Sequence, residues 1–205
     1  MAYVVEGILF GLGLAIMLGP IFIALTQTSL EKGTLAGLLV GLGIWISDVI
    51  IILAAFFFIN SLSPALESQS FKFYLGISGG IMLMIFGVVT MFSKFNFNLE
   101  KKKHSYRNLI GYWLKGFLVN TVNPFTFIVW FTLISSHTIG RGTSNSDTTV
   151  LLTSVMVTIV ISNSLLVFAA KAIRKFLKEE YLSAFTKFSG VGLIICGIFL
   201  IFRSV

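Results

Sequence analysis

From Val4 to Leu25 the chain runs through 22 residues with a single ionisable side chain, Glu6. About 20 apolar residues in a helix are enough to cross the hydrocarbon of a bilayer. Five more stretches of this kind follow: Thr34–Ile59, Phe71–Phe92, Leu109–Ser135, Thr149–Ala170 and Ser183–Phe202. Charged residues make up 11% of the chain and the mean hydropathy is +0.96, whereas soluble domains carry about 25% charged residues. The pattern predicts an all-α integral membrane protein with six transmembrane helices. The first stretch does not read as a cleaved signal peptide, because it is led by Glu6 with no Lys or Arg and ends in no small-residue cleavage site.

The net charge of +7 would suggest nucleic acid in a soluble protein, but here its distribution has a simpler cause. Lys32, Lys94, Lys101, Lys102, Lys103, Arg107, Lys115, Lys171, Arg174, Lys175, Lys178 and Lys187 fall on the side reached after spans 1, 3 and 5. Only Lys72, Arg141 and Arg203 fall on the other. Cytoplasmic loops of membrane proteins carry the excess of Lys and Arg, so both termini are expected to be non-cytoplasmic. The Lys101–Lys103 cluster then serves topology and contact with anionic lipid, and no nucleic-acid partner is expected.

The chain also resembles itself. With Gly19-Pro20 placed over Asn123-Pro124, LAIMLGPIFIA lies over LVNTVNPFTFI. SDVIIILAAF (Ser47–Phe56) lies over SNSLLVFAAK (Ser162–Lys171), and GGIMLMIFGVVTMF (Gly79–Phe92) over SGVGLIICGIFLIF (Ser189–Phe202). The order is kept at offsets of 104, 115 and 110 residues. Three spans per half put the halves in opposite orientations, the 3+3 inverted repeat of many secondary transporters. The expected organisation is one transporter domain over 1–205: a first repeat at 1–92, a basic cytoplasmic loop at 93–108 and a second repeat at 109–205.

Pro20 and Pro124 interrupt spans 1 and 4. Proline has no N–H to donate inside a helix, and irregular backbone at membrane depth survives only when buried in protein or lining a wet cavity. Positive half-helix N-termini attract carboxylate and negative C-termini attract ammonium. A zwitterionic amino acid suits such ends, so Gly19, Pro20, Asn120, Asn123 and Pro124 are the expected substrate-binding residues. A plain proline kink is the bland alternative.

Asp48 is the one ionisable residue deep inside a predicted span. A carboxylate at the bilayer centre costs at least about 2.5–3.5 kcal/mol on insertion scales and marks ion or proton paths. Low dielectric disfavours the charged form, so Asp48 is suited to load and release a proton. Its repeat mate, Asn163, cannot titrate. Trp45 lies near the same helix face as Asp48, and Trp130 is deep enough to line a cavity or to face lipid.

The glycines at Gly7/Gly11, Gly37/Gly41/Gly43 and Gly76/Gly80 read as close helix packing. Tyr112 and Trp113 read as interfacial belt residues. Glu6 and Lys115 lie near span ends and can snorkel to water.

One cysteine, Cys196, leaves no internal disulfide or CxxC pair. His104 and His137 have no second His or carboxylate at metal-ligand spacing. No G-x-S-x-G, Walker loop or H-E-x-x-H is present. Neither an enzyme, a cofactor nor a bound metal is expected.

Residues 18–56, LGPIFIALTQTSLEKGTLAGLLVGLGIWISDVIIILAAF, and residues 115–131, KGFLVNTVNPFTFIVWF, are similar to two segments of the LysE/RhtB family of bacterial amino-acid exporters. The first resembles that family's opening Pro-Gly-Pro segment, Gly-rich span and Asp; the second resembles its Gly-Phe…Asn-Pro segment. Six spans and a basic middle loop extend the likeness over nearly the whole chain. The chain departs from the pattern at Leu18, where the family usually has its first Pro, at Ile21, where many members have Asn, and at Phe125, where a polar residue is common. These departures fall at the expected binding centre and bear on the substrate.

The resemblance implies export of an amino acid or derivative across the inner membrane, driven by the proton gradient. Substrate, protons and the lipid bilayer are then the partners, and the Gly-rich spans allow a homodimer. Two other readings compete: a divalent-cation exporter of related fold, which would want several converging oxygen or imidazole ligands, and a membrane scaffold without transport.

Overall fold

The computed structural model describes residues 1–16, 20–67, 69–92, 109–137, 141–173 and 179–204. Eight helices form among them. They are α1 (Ala2–Ile16), α2 (Pro20–Lys32), α3 (Thr34–Glu67), α4 (Gln69–Phe92), α5 (Leu109–Thr121), α6 (Pro124–Ser135), α7 (Asn145–Ile173) and α8 (Glu179–Ser204). The basic loop expected at 93–108 lies outside the described residues, as does Gly19.

Two helical stretches, Thr34–Phe58 and Asn145–Ala170, are long and apolar enough to cross a membrane by themselves. Ala2–Ala15 with Pro20–Lys32, and Leu109–Thr121 with Phe125–Ser135, pass the same test as pairs, bent by 67° and 61°. The apolar parts of α4 and α8, Gly76–Phe92 and Gly190–Phe202, are shorter. The all-helical, strongly apolar character expected from the sequence is present, with two clear spans and up to four when each bent pair counts as one.

The bend at α6 has a local cause. Pro20 is the first residue of α2 that the structure describes, and Pro124 is the first residue of α6, not an interior one. At that position a helix needs no N–H and the fixed φ of proline suits the helix. Asn123 caps α6: its backbone is extended and its side chain accepts from Phe125 N at 3.1 Å. In α2, Thr26 Oγ1 donates to Phe22 O (2.7 Å) and Ser29 Oγ to Leu25 O (2.6 Å), so these hydroxyls are satisfied within their own helix.

The chain forms two compact units. The first comprises Met1–Leu53 and Asn98–Lys175, the second Ala54–Phe97 and Phe176–Val205. In the first, Ala24 and Leu25 of α2, Val40 and Ile44 of α3 and Val167 of α7 form a buried apolar cluster. Glycines set the helix separations. A methyl on Gly7 would lie 2.6 Å from Ser154 Cβ, and one on Gly11 would lie 2.6 Å from Thr158 Cβ, so α1 and α7 meet at backbone distance. In the second unit α4 and α8 run antiparallel through reciprocal contacts. A methyl on Gly80 would lie 2.6 Å from Gly197 O, and one on Gly87 would lie 2.7 Å from Gly190 O.

Candidate functional site

Within the first unit, α3 presents Val40, Ile44, Ser47, Asp48 and Ile51 as one buried stripe, at the three- and four-residue spacing of one helix face. Two glycines bring α5 against it. Gly116 packs on the carbonyl oxygen of Val40, and a methyl on Gly43 would lie 2.7 Å from Phe117 N and against the Trp113 carbonyl. One turn beyond Gly116, that close approach delivers Asn120 to Asp48. Asn120 Nδ2 donates to Asp48 Oδ1 at 2.9 Å and to Ile44 O at 3.2 Å. Ser47 and Thr121 hydroxyls pair beside it at 2.8 Å.

The other half of the broken helix completes the cluster. Trp130 Nε1, on α6, donates to the same Asp48 oxygen at 2.9 Å. Thr126 Oγ1, on the first turn of α6, donates to Asn120 Oδ1 at 3.0 Å. Asp48 is 4% exposed, Asn120 0% and Trp130 2%. Asp48 therefore joins α3 to both sides of the break at Pro124. Both donors converge on Oδ1; among the described residues no donor reaches Oδ2. A hydrogen bond to an ionised group stabilises by about 1.5–3 kcal/mol, against about 0.5–1.5 for a neutral pair. The arrangement thus anchors one oxygen of the Asp48 side chain to both α5 and α6.

The expected site residues separate into groups. Asn120 and Asp48 meet directly. Asn123 and Pro124 form the start of α6, the asparagine as its cap. Pro20 begins α2, and Asn163 is buried on α7. Trp45 is half-buried against the apolar cluster, and its Nε1 has no partner among the described residues. Lys115 Nζ donates to Thr28 Oγ1 at 2.9 Å, tying α5 to α2.

Two members of the Asp48 cluster were not legible as such. Thr126 carried no signal, and for Trp130 the sequence left cavity and lipid equally open. A tryptophan at membrane depth has one N–H to satisfy, and span 2 offers one acid at that depth; that pairing was the available clue.

A second polar group sits where α1 begins and α6 ends. Arg141 Nη1 donates to Glu6 Oε1 at 2.7 Å, and His137 Nε2 lies 3.3 Å from the same oxygen. Glu6 therefore does more than reach for water, and a residue 131 positions away in sequence was its partner. Among the described residues no three His, Cys, Asp or Glu side chains converge in a metal-like group.

The described residues combine long apolar helices, two bent helix pairs and a buried carboxylate on α3, the make-up of a membrane protein. Comparison with known proteins gives the class. The family profile described as "LysE type translocator" matches residues 12–204, and the chain belongs to that family. A Bacillus subtilis (strain 168) protein named "Putative amino acid efflux protein YcgF" is 24% identical over 203 residues, covering 97% of this chain and 94% of the relative. No solved structure matches.

Proposed function

We propose that this protein exports an amino acid or amino-acid derivative by proton antiport, with Asp48 as the proton-carrying group and the breaks in spans 1 and 4 as the substrate site. The observation that carries the reading is the convergence of Asn120 and Trp130 on Asp48 Oδ1 across the break at Pro124. The family is one of translocators, and a relative bears the name of an amino acid efflux protein.

Proton loading at Oδ2 converts two charge-assisted hydrogen bonds to neutral ones. That weakens the hold on α5 and α6 by roughly 2–3 kcal/mol in total, about a hundredfold in a two-state equilibrium. Substrate binding that favours one state and proton binding that favours the other are then coupled. The half-helix ends at Pro20 and at Asn123-Pro124, with Gly19 of the sequence pattern, would bind the carboxylate and ammonium of a zwitterion. Asn120, with its carboxamide committed to Asp48, Ile44 and Thr126, transmits the state of Asp48 to that site.

The inverted repeat belongs to the same proposal. The offset of 110 residues maps Gly80 onto Gly190 and Gly87 onto Gly197. A two-fold axis would turn the Gly80–Gly197 contact into the Gly190–Gly87 contact, and both are present. The paired bends of 67° and 61° at matched prolines support it too. Asn163, the mate of Asp48, would leave the equivalent position of the second half without a titrating group. The Lys and Arg count supports an inner-membrane protein with both termini outside.

Efflux from cells preloaded with a mixture of labelled amino acids tests the reading. Expected is selective loss of one or a few of them, abolished by an uncoupler. Efflux equal to that of cells lacking the protein, for every amino acid, would contradict it.

A further inference from the structure

The Glu6–His137–Arg141 group is built around a buried imidazole. His137 is 1% exposed, while Glu6 and Arg141 reach solvent. Its Nδ1 lies 2.9 Å from the carbonyl oxygen of Leu133. A carbonyl only accepts, so Nδ1 carries a hydrogen. The hydroxyl of Ser136 donates to that same carbonyl (3.0 Å) and stands 3.2 Å from Nδ1, which agrees.

In the neutral ring Nε2 is therefore a bare acceptor. It takes an N–H from Arg141 Nη1 at 3.2 Å while facing Glu6 Oε1 at 3.3 Å. One proton added to the Nε2 lone pair reverses this: Nε2–H then donates to Glu6, and the imidazolium repels the Arg141 guanidinium. Glu6 of α1 and Arg141 of the loop before α7 are the charged groups that reach the ring. Asp147, in the first turn of α7, is held by Ser144 instead (2.8 Å). The loop itself is bound to the end of α6, through Arg141 N to Ser136 O (3.1 Å), Thr143 N to His137 O (3.1 Å) and the Thr143 hydroxyl to His137 O.

We propose that His137 is a second proton-binding residue of the exchange, at the outer end of the path, which trades Arg141 for Glu6 when it takes a proton. This rests on the antiport reading above. The group lies on the side poor in Lys and Arg. His137 stands two residues past the end of α6 and seven after Trp130, and both are buried, so the Asp48 contact is made from within α6 and the His137 contact at its end. A proton arriving from outside meets His137 first, and the exchange of partners loosens the Arg141 loop from the Glu6 end of α1.

The test uses the full chain in lipid nanodiscs, with imidazole-15N histidine and His104→Gln, which leaves one of the two histidines. Expected at high pH is the tautomer with hydrogen on Nδ1, and on acidification a doubly protonated ring whose Nε2–H is hydrogen-bonded to Glu6. In Glu6→Gln the protonated fraction at a fixed pH falls. An Nε2–H tautomer at high pH, or a ring that takes up no proton on acidification, would overturn the proposal. In parallel, His137→Gln retains thermal stability, and its efflux loses most of its dependence on external pH. An unaltered pH profile would also overturn it. If the unmodified chain moves no amino acid at all, the antiport reading fails by itself, and the resonance measurement still decides whether His137 is a proton site.

Discussion

Asp48→Asn separates the proton chemistry of Asp48 from its structural part. The asparagine carbonyl can take the place of Oδ1, so Asn120 Nδ2 and Trp130 Nε1, both 2.9 Å from that atom, keep an acceptor. Each bond changes from charge-assisted to neutral, about 1–1.5 kcal/mol apiece, and the cost of holding a charge in low dielectric disappears. The two effects oppose each other, so stability should stay within about 2 kcal/mol of wild type. Asp48→Leu removes the acceptor altogether. It orphans two buried donors at about 1–3 kcal/mol each, a loss of roughly 2–6 kcal/mol.

Thermal unfolding in detergent, monitored by tryptophan fluorescence, should therefore rank wild type and Asp48→Asn together and Asp48→Leu well below. Efflux from preloaded cells should fall at least tenfold in Asp48→Asn at equal membrane abundance, and the remainder should ignore uncoupler. Full, uncoupler-sensitive efflux from Asp48→Asn would refute the proton role. An Asp48→Asn protein as unstable as Asp48→Leu would refute the reasoning about Oδ1.

Trp130→Phe keeps the ring in its buried position but deletes one donor to Asp48; efflux should drop about tenfold or more, with the change appearing in its pH dependence, and an unchanged profile would detach Trp130 from the carboxylate. Gly116→Ala sets a methyl against the Val40 carbonyl and should cost about 1–3 kcal/mol through overpacking, readable as a lowered unfolding temperature, whereas the same change at the exposed Gly192, with open space around it, should cost far less. Asn123→Ala removes the cap of α6 and should cost about 1 kcal/mol; Asn123→Asp should restore most of it.

The parts of this molecule legible in the sequence were those where one residue type is costly in its setting. A lone aspartate in an apolar run, and prolines in the middle of spans, stand out because hydrocarbon penalises both. The prolines were legible as breaks, and the position of Pro124 as first residue of α6, capped by Asn123, explains why that break is tolerated. Partner choice was not legible. Asn120 and Trp130 reach Asp48 from 72 and 82 residues away, and which face of α5 turns toward α3 depends on Gly116 meeting Val40 and Gly43 meeting Trp113 and Phe117. Glu6 and His137 are further apart still, and each alone reads as a polar residue near a span end. Helix ends were also set by more than hydropathy: α3 continues past Ile59 to Glu67, because backbone hydrogen bonds continue after the apolar pattern stops.

The central claim is that amino-acid export and proton movement are one coupled process. The most direct measurement loads purified protein into liposomes with a pH-sensitive dye inside and imposes an outward gradient of the amino acid identified by efflux, with no initial pH difference. Antiport predicts acidification of the lumen as the amino acid leaves, absent in Asp48→Asn liposomes. Amino-acid exit with no lumenal pH change in wild-type liposomes would contradict it.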